Sequence, residues 1–283
     1  MTPTANRRSM YIKQTDLQIM DWLAQFRLLQ PRHIHHLSGR HIVAIRRRLR
    51  QLTAAGFIDR LTLPWTRLRP IASPPDEFVY RLGRKGTELV SDSIGSNVPF
   101  TPEKKTTFLD HDLTISAFHV VLHLVMHAAG LELQWRQDEL QDWVTDDCGE
   151  RLSVNPDSLF ALTDTALPVE RNTHCFFLEV ERVRQHSYRN GQSAFTRKVQ
   201  AYLAYAAKGV HRQSWGMDDF RVLTITPTQQ RVANLRGKLV DAGIASDRFW
   251  FTDSSRYSLD RPSSVLEPIW NSPGDDRCHR LME

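Results

Sequence analysis

Between Asn155 and Tyr202 the chain places two apolar, strand-length runs in succession, each carrying carboxylates, and follows them with a helical stripe that holds a lysine. The first run is headed by Pro156-Asp157, and the second is Cys175-Phe-Phe-Leu-Glu-Val-Glu181. Along an extended segment side chains alternate, so Phe176, Leu178 and Val180 must face one way and Phe177, Glu179 and Glu181 the other. Two carboxylates on one strand face repel each other, and Asp157 on a neighbouring strand adds to the repulsion. If that face is enclosed, the charge must be offset by a cation or by proton uptake. A hard divalent ion, Mg²⁺ or Mn²⁺, resolves this by taking carboxylate oxygens as ligands and leaving positions for water and phosphate. The expected ligands are Asp157, Glu179 and Glu181. In the helical pattern from Gln192 to Lys208, Phe195, Val199, Tyr202, Leu203 and Ala206 form the apolar stripe. Lys198 lies at the edge of that stripe, placed to stabilise developing negative charge, with Tyr202 one turn on as an accessory.

A chain of 283 residues can bury a substantial core, and its length fits one large domain or two modest ones. Charge divides it. Of 37 Lys and Arg and 32 Asp and Glu, residues 1–100 hold 16 and 7, a formal +9, which leaves the remainder at −4. Concentrated basic charge of this kind is what a nucleic-acid-binding module needs. The same third predicts a helix ending near Leu29 and capped at Thr15 or Asp16, a short helix from Pro31 through Leu37, and a third helix with the apolar stripe Ile42, Ile45, Leu49 and Leu52. Arg46, Arg47, Arg48 and Arg50 project from that third helix, and Gly56 offers a left-handed cap. Strands over 57–61 and 77–82 follow, joined by a Pro-rich tip that carries Arg67 and Arg69, and a closing helix starts at Arg84. Three helices and a hairpin are the order of a winged helix-turn-helix, with the third helix expected in a major groove and Arg67 and Arg69 at phosphate or minor groove. An arginine run is also what an ordinary solvated helix face looks like, and winged helices also bind protein.

The expected organisation is a winged helix-turn-helix over 1–92, a linker over 93–105, an α/β domain over 106–271 and a C-terminal tail over 272–283. The second domain opens with a helix over 106–129. Its His119, His123 and His127 share a face but lack the partners of a zinc site, whereas His111, between Asp110 and Asp112, is a candidate for the mouth of a cleft. Strands over 132–137, 152–162 and 175–181, a helix, a strand over 220–226, a helix over 228–242 and a last strand over 248–252 give a restriction-endonuclease-like core with a central mixed sheet. The three cysteines are scattered and form no CxxC pair, so neither a zinc ribbon nor a disulfide framework is indicated. The polar N-terminus lacks a signal segment and the apolar stretch 117–129 is too short to span a bilayer, so a cytoplasmic protein with no membrane partner is expected.

The Pro-Asp pair, the acidic-x-acidic strand and the lysine in the following helix resemble the pattern of the replication-relaxation family of bacterial plasmid and mobile-element proteins. That family resembles in turn the MobC-type relaxases, with a PD-(D/E)xK core. The likeness runs from the winged helix to Glu267-Pro-Ile-Trp270. It implies Asp157, Glu179, Glu181 and Lys198 as catalytic residues. The lysine that the simplest nuclease motif places two residues after the acid is here Glu181, which implies that its role has moved to the helix. The activity implied is divalent-metal-dependent DNA strand cleavage, as a nickase or relaxase, in replication or transfer. A covalent route through Tyr188 or Tyr202 is a variant. A catalytically silent DNA-binding regulator of replication or transcription is the alternative, and a protein-binding winged helix on an inactive core is a third reading. A palindromic recognition sequence would imply a homodimer by symmetry.

Overall fold

The computed structural model describes residues 11–62, 78–94, 109–136, 140–168, 172–181, 188–189 and 192–283. The hairpin tip with Arg67 and Arg69 and most of the expected linker lie outside them. The chain divides into two compact units, Met1–Val120 and Val121–Glu283.

The first unit opens with α1 (Gln14–Phe26), α2 (Pro31–Ser38) and α3 (Ile42–Ala54), followed by the antiparallel pair β1 (Ile58–Thr62) and β2 (Phe78–Leu82) and by α4 (Arg84–Ile94). The cap of α1 is Lys13 rather than Thr15 or Asp16, and Asp16 instead accepts the Lys13 N–H from the first turn. Helical spacing of apolar residues buries Ile19, Met20, Leu23 and Phe26 of α1, Ile34 of α2 and Ile45, Leu49 and Leu52 of α3. Gly39 closes α2 in the left-handed region, at φ 65°, so α3 starts three residues later. Between α1 and α2, Leu29 exchanges two backbone hydrogen bonds with Tyr80, of 2.9 and 2.8 Å, and so adds a bridge beside β2.

α5 (Leu109–Ala129) begins in the first unit. There the Ser116 hydroxyl donates to the Phe26 carbonyl at 2.7 Å, and His119 meets the Phe26 ring edge-on at 4.6 Å. At 21 residues the helix is longer than the apolar stretch read from the sequence, and by length and composition alone it would suffice to cross a bilayer. A core helix passes the same test, and Phe118, Val120, Val121 and Leu122 are buried.

The second unit is built on a seven-stranded mixed sheet. Its strands are β3 (Glu132–Arg136), β6 (Ser158–Thr163), β7 (Thr173–Val180), β10 (Arg221–Thr226), β11 (Phe249–Asp253), β12 (Trp270–Asn271) and β13 (Cys278–His279), in the order β13-β12-β11-β10-β7-β6-β3. β3, β6 and β7 run antiparallel, and β7, β10 and β11 run parallel. The parallel steps are made through α6 (Ala194–Ala207) with the short α7 (Val210–Trp215), and through α8 (Gln229–Asp241). Phe177, Val222, Phe249 and Phe251 of the sheet pack with Val199, Tyr202 and Tyr205 of α6 and Val232, Leu235 and Leu239 of α8 in one core.

The single strand expected over 152–162 is two. β4 (Asp142–Thr145) and β5 (Arg151–Val154) form a separate hairpin, and β6 starts only after Asn155-Pro156-Asp157. Pro156 has no N–H to give a ladder, so the break falls there. Residues 272–283, expected as a tail, carry β13. A further two-residue pair, β8 (Tyr188–Arg189) and β9 (Gln192–Ser193), precedes α6.

Candidate functional site

The antiparallel register of β6 and β7 pairs Ser158 with Leu178. Asp157 stands just before β6, its N–H donates to the Leu178 carbonyl at 2.9 Å, and its negative charge acts on Glu179. The Asp157 carboxylate is oriented by the backbone, since the Val180 N–H donates to its Oδ2 at 2.7 Å.

Glu179 is 5% exposed. Lys198 Nζ donates to its Oε2 at 2.5 Å and the Tyr202 hydroxyl donates to its Oε1 at 2.6 Å. Both donors come from α6, four residues apart and therefore on one helix face. Burial pushes the Glu179 carboxyl above its ordinary 4.5; Lys198 opposes the rise and the negative charge of Asp157 adds to it. Burial, then the Glu179 charge and hydrogen bond, hold the Tyr202 phenol well above its usual range. Tyr202 is 1% exposed, keeps its proton and spends it on Glu179. That suits a residue that holds a carboxylate better than one that attacks a phosphate. The side chain of Lys198, in contrast, is 45% exposed.

Glu181 takes a different partner. It sits one residue beyond β7, its N–H donates to the Ile225 carbonyl at 2.9 Å, and its two carboxylate oxygens accept from Nε and a terminal nitrogen of Arg231 in the first turn of α8. Glu179 and Glu181 therefore share the helix-covered face that alternation predicts, yet each is bound by a different helix. Among the described residues no group of three or more His, Cys, Asp and Glu is placed to hold a metal. What the fold does bring together is Asp157, Glu179, Lys198 and Tyr202. Two neighbouring carboxylates, one of them buried, are a donor set that a hard cation retaining several waters can use.

Two further features were not legible in the sequence. The Tyr205 hydroxyl donates to Asp142 at 2.5 Å and accepts the Trp215 indole N–H at 2.8 Å, which fastens the β4–β5 hairpin to α6 and α7. Burial alone would raise the Asp142 carboxyl, but hydroxyls from Ser214 and Tyr205 bring it below its ordinary 3.8. Along the same sheet face, Thr226 pairs with Asp253 at the ends of β10 and β11. Asp253 is buried and accepts the Ser255 N–H at 3.0 Å. Partners of this kind are distant in sequence or fall on segments without a periodic signal.

In the first unit, Arg46, Arg47 and Arg50 are exposed on α3. Arg48 is not among them. Its Nε donates to Asp16 Oδ1 at 2.6 Å and a second nitrogen pairs with Oδ2, while further bonds reach the Tyr11 carbonyl and Gln51. It joins α3 to α1 and belongs to the fold. His111, on the first turn of α5, is buried at 9% exposure within this unit. Of the other α5 histidines, His123 is held below its usual value by burial and by His127.

Comparison with curated proteins and with solved structures found no match. A family model described as replication-relaxation matches residues 20–219, a span that includes α3, Asp157, Glu179, Lys198 and Tyr202.

Proposed function

Since the chain belongs to the replication-relaxation family, we propose that it acts in the replication or transfer of a plasmid or other mobile element, by binding DNA through its first unit and cutting a strand with a divalent metal at Asp157 and Glu179. The observation that carries this reading is that the Asp157 carboxylate, held by the Val180 N–H, acts on the buried Glu179, to which Lys198 donates at 2.5 Å. The sheet supports it. Antiparallel β3, β6 and β7, a helical crossover and a parallel β10 are the order of a restriction-endonuclease-like PD-(D/E)xK core, and the acids stand at the carboxyl end of β7, where open α/β sheets receive ligands. In the first unit, three helices, the Leu29–Tyr80 bridge and the β1–β2 hairpin support a winged helix with α3 as the reading helix.

Asp157 and Glu179 would hold Mg²⁺ or Mn²⁺. The ion would supply an activated water and neutralise charge on the scissile phosphate. The protein's own groups prepare the geometry. The Val180 N–H fixes Asp157 and the Tyr202 hydroxyl fixes Glu179, so neither acid has to reorient when substrate arrives. Lys198, half in solvent, is within reach of an incoming phosphate oxygen and would share its ammonium with the negative charge that develops there. Glu181 and Arg231 brace the end of β7 against α8 and take no part in the chemistry.

The test is cleavage of supercoiled plasmid bearing the native origin, with Mg²⁺ or Mn²⁺. Wild type converts it to open-circular or linear product, Glu181→Gln retains that activity, and an Asp157→Ala, Glu179→Ala double variant loses it. The alternative, a catalytically silent DNA-binding regulator of replication or transcription, draws on the fact that Lys198 and Tyr202 already satisfy both oxygens of Glu179. It is the correct reading if wild type and the double variant are equally inert on that plasmid while both bind it. DNA left covalently attached to denatured protein would mark a tyrosine route instead. Absence of DNA binding even at low salt would leave a protein-interaction module.

A further inference from the structure

The exposed face of α3 carries one large apolar side chain among its arginines. Val43 is 61% exposed on the first turn of the helix, next to exposed Ala44, with Arg47 one turn on along the same face and exposed Arg40 just before the helix. A single exposed valine is ordinary on a protein surface. Its setting here is not. From Trp22 through Ile58 the sequence contains no Asp or Glu, while it holds seven arginines and four histidines. Asp16 of α1, an acid that reaches α3, is neutralised there by Arg48. A face with no carboxylate of its own, rimmed by exposed guanidinium groups, complements a polyanion and repels a basic partner.

In a helix-turn-helix the second helix lies in the major groove, and its early residues meet base edges. The apolar feature that the groove offers there is the thymine 5-methyl group; every other readout on that edge is a hydrogen-bond donor or acceptor. Val43 has no polar atom beyond its backbone, and its N–H is already turned to the His41 side chain at 3.4 Å. We infer that Val43 is a specificity-determining residue that packs on the methyl group of a thymine in duplex DNA, with Arg47 donating to an adjacent base edge or phosphate. This rests on the reading of the first unit as a DNA-binding module, and it adds what that reading leaves open: the contacted site contains a thymine at a fixed place relative to α3.

The experiment starts from a pool of duplexes with a randomised core, enriched on the full chain at low salt. In the selected duplex each thymine is then replaced singly by uracil, which removes only the 5-methyl group and keeps the pairing, and Kd is read by fluorescence anisotropy. At one thymine per bound winged helix, uracil should weaken wild-type binding about fourfold, the value of one buried methyl-sized group. In Val43→Ala, folded as judged by an unchanged melting curve, thymine and uracil should bind alike at that place, and Val43→Ile should keep the preference. Equal binding of thymine and uracil at every place by wild type overturns the inference, as does a preference that persists in Val43→Ala. Either result leaves DNA binding intact. Failure to enrich or bind any duplex overturns the DNA-binding reading and this inference with it.

Discussion

Asp16 has no exposed side-chain surface, yet it is held ionised. Burial by itself would raise its carboxyl; the hydrogen bonds from Arg48 and from the Lys13 N–H more than offset this and bring it below its ordinary 3.8. A carboxylate whose folded value is depressed contributes stability that is present above its unfolded value and lost as pH falls through the folded one. Asp16→Asn should therefore cost about 3 kcal/mol at neutral pH, because it strands a partly buried guanidinium. Urea denaturation would show the gap between wild type and variant closing as pH drops below 3.8. Equal stability at pH 7 would count against the pair. Legibility at this scale follows sequence distance. Asp157, Glu179 and Lys198 could be grouped from alternation along a strand and spacing along a helix, both local signals. The partner of Glu181 lies 50 residues downstream and that of Arg48 lies 32 residues upstream, and no periodicity announces either. Hence the ion pairs of Glu181 with Arg231 and of Arg48 with Asp16 went unread.

At the scale of elements, α4 is held against Phe57, in the turn between α3 and β1, by a close approach of backbone. A Cβ added at Gly86 would stand 2.2 Å from the Phe57 carbonyl oxygen, a fixed backbone atom. Alanine favours a helix over glycine by about 1 kcal/mol, but inserting a group into a filled contact costs about 1–3 kcal/mol, and here α4 must move away from its seat. Gly86→Ala should lower stability by about 1 kcal/mol net, visible as a lower Tm, whereas a stabilised variant would show that α4 has room to shift. The elements with strong periodicity, α1, α3, α6, α8 and the apolar strands, fell within a few residues of their expected bounds. Short ones did not. α7 spans under two helical turns and β12 and β13 two residues each, too brief for a repeating pattern to register. The division of the expected second strand into β5 and β6 turned on Pro156, whose missing donor was a better guide than the apolar run around it.

For the whole molecule, the mixed α/β character was legible from the succession of helical and extended runs, but the strand order was not. A hairpin inserted between β3 and β6 and two strands returning from the C-terminal end depend on pairings that only the folded chain reveals. The charge division was legible from the outset and leads to a prediction about binding as a whole. If Arg47 and Arg50 each neutralise a phosphate, replacing both with Ala should reduce the slope of log K against log salt by about 2 and weaken binding to unrelated sequences equally. Titrations between roughly 50 and 200 mM salt would measure it; an unchanged slope would move the phosphate contacts elsewhere. The sheet's far margin has a consequence of another sort. It ends in β12 and β13, each two residues long, where β11 has five. A neighbouring molecule that tries to extend the sheet there finds almost no ladder to zip onto, so the outermost strand frustrates self-assembly on that side, and crowded copies of the chain are kept from growing edge to edge into fibres.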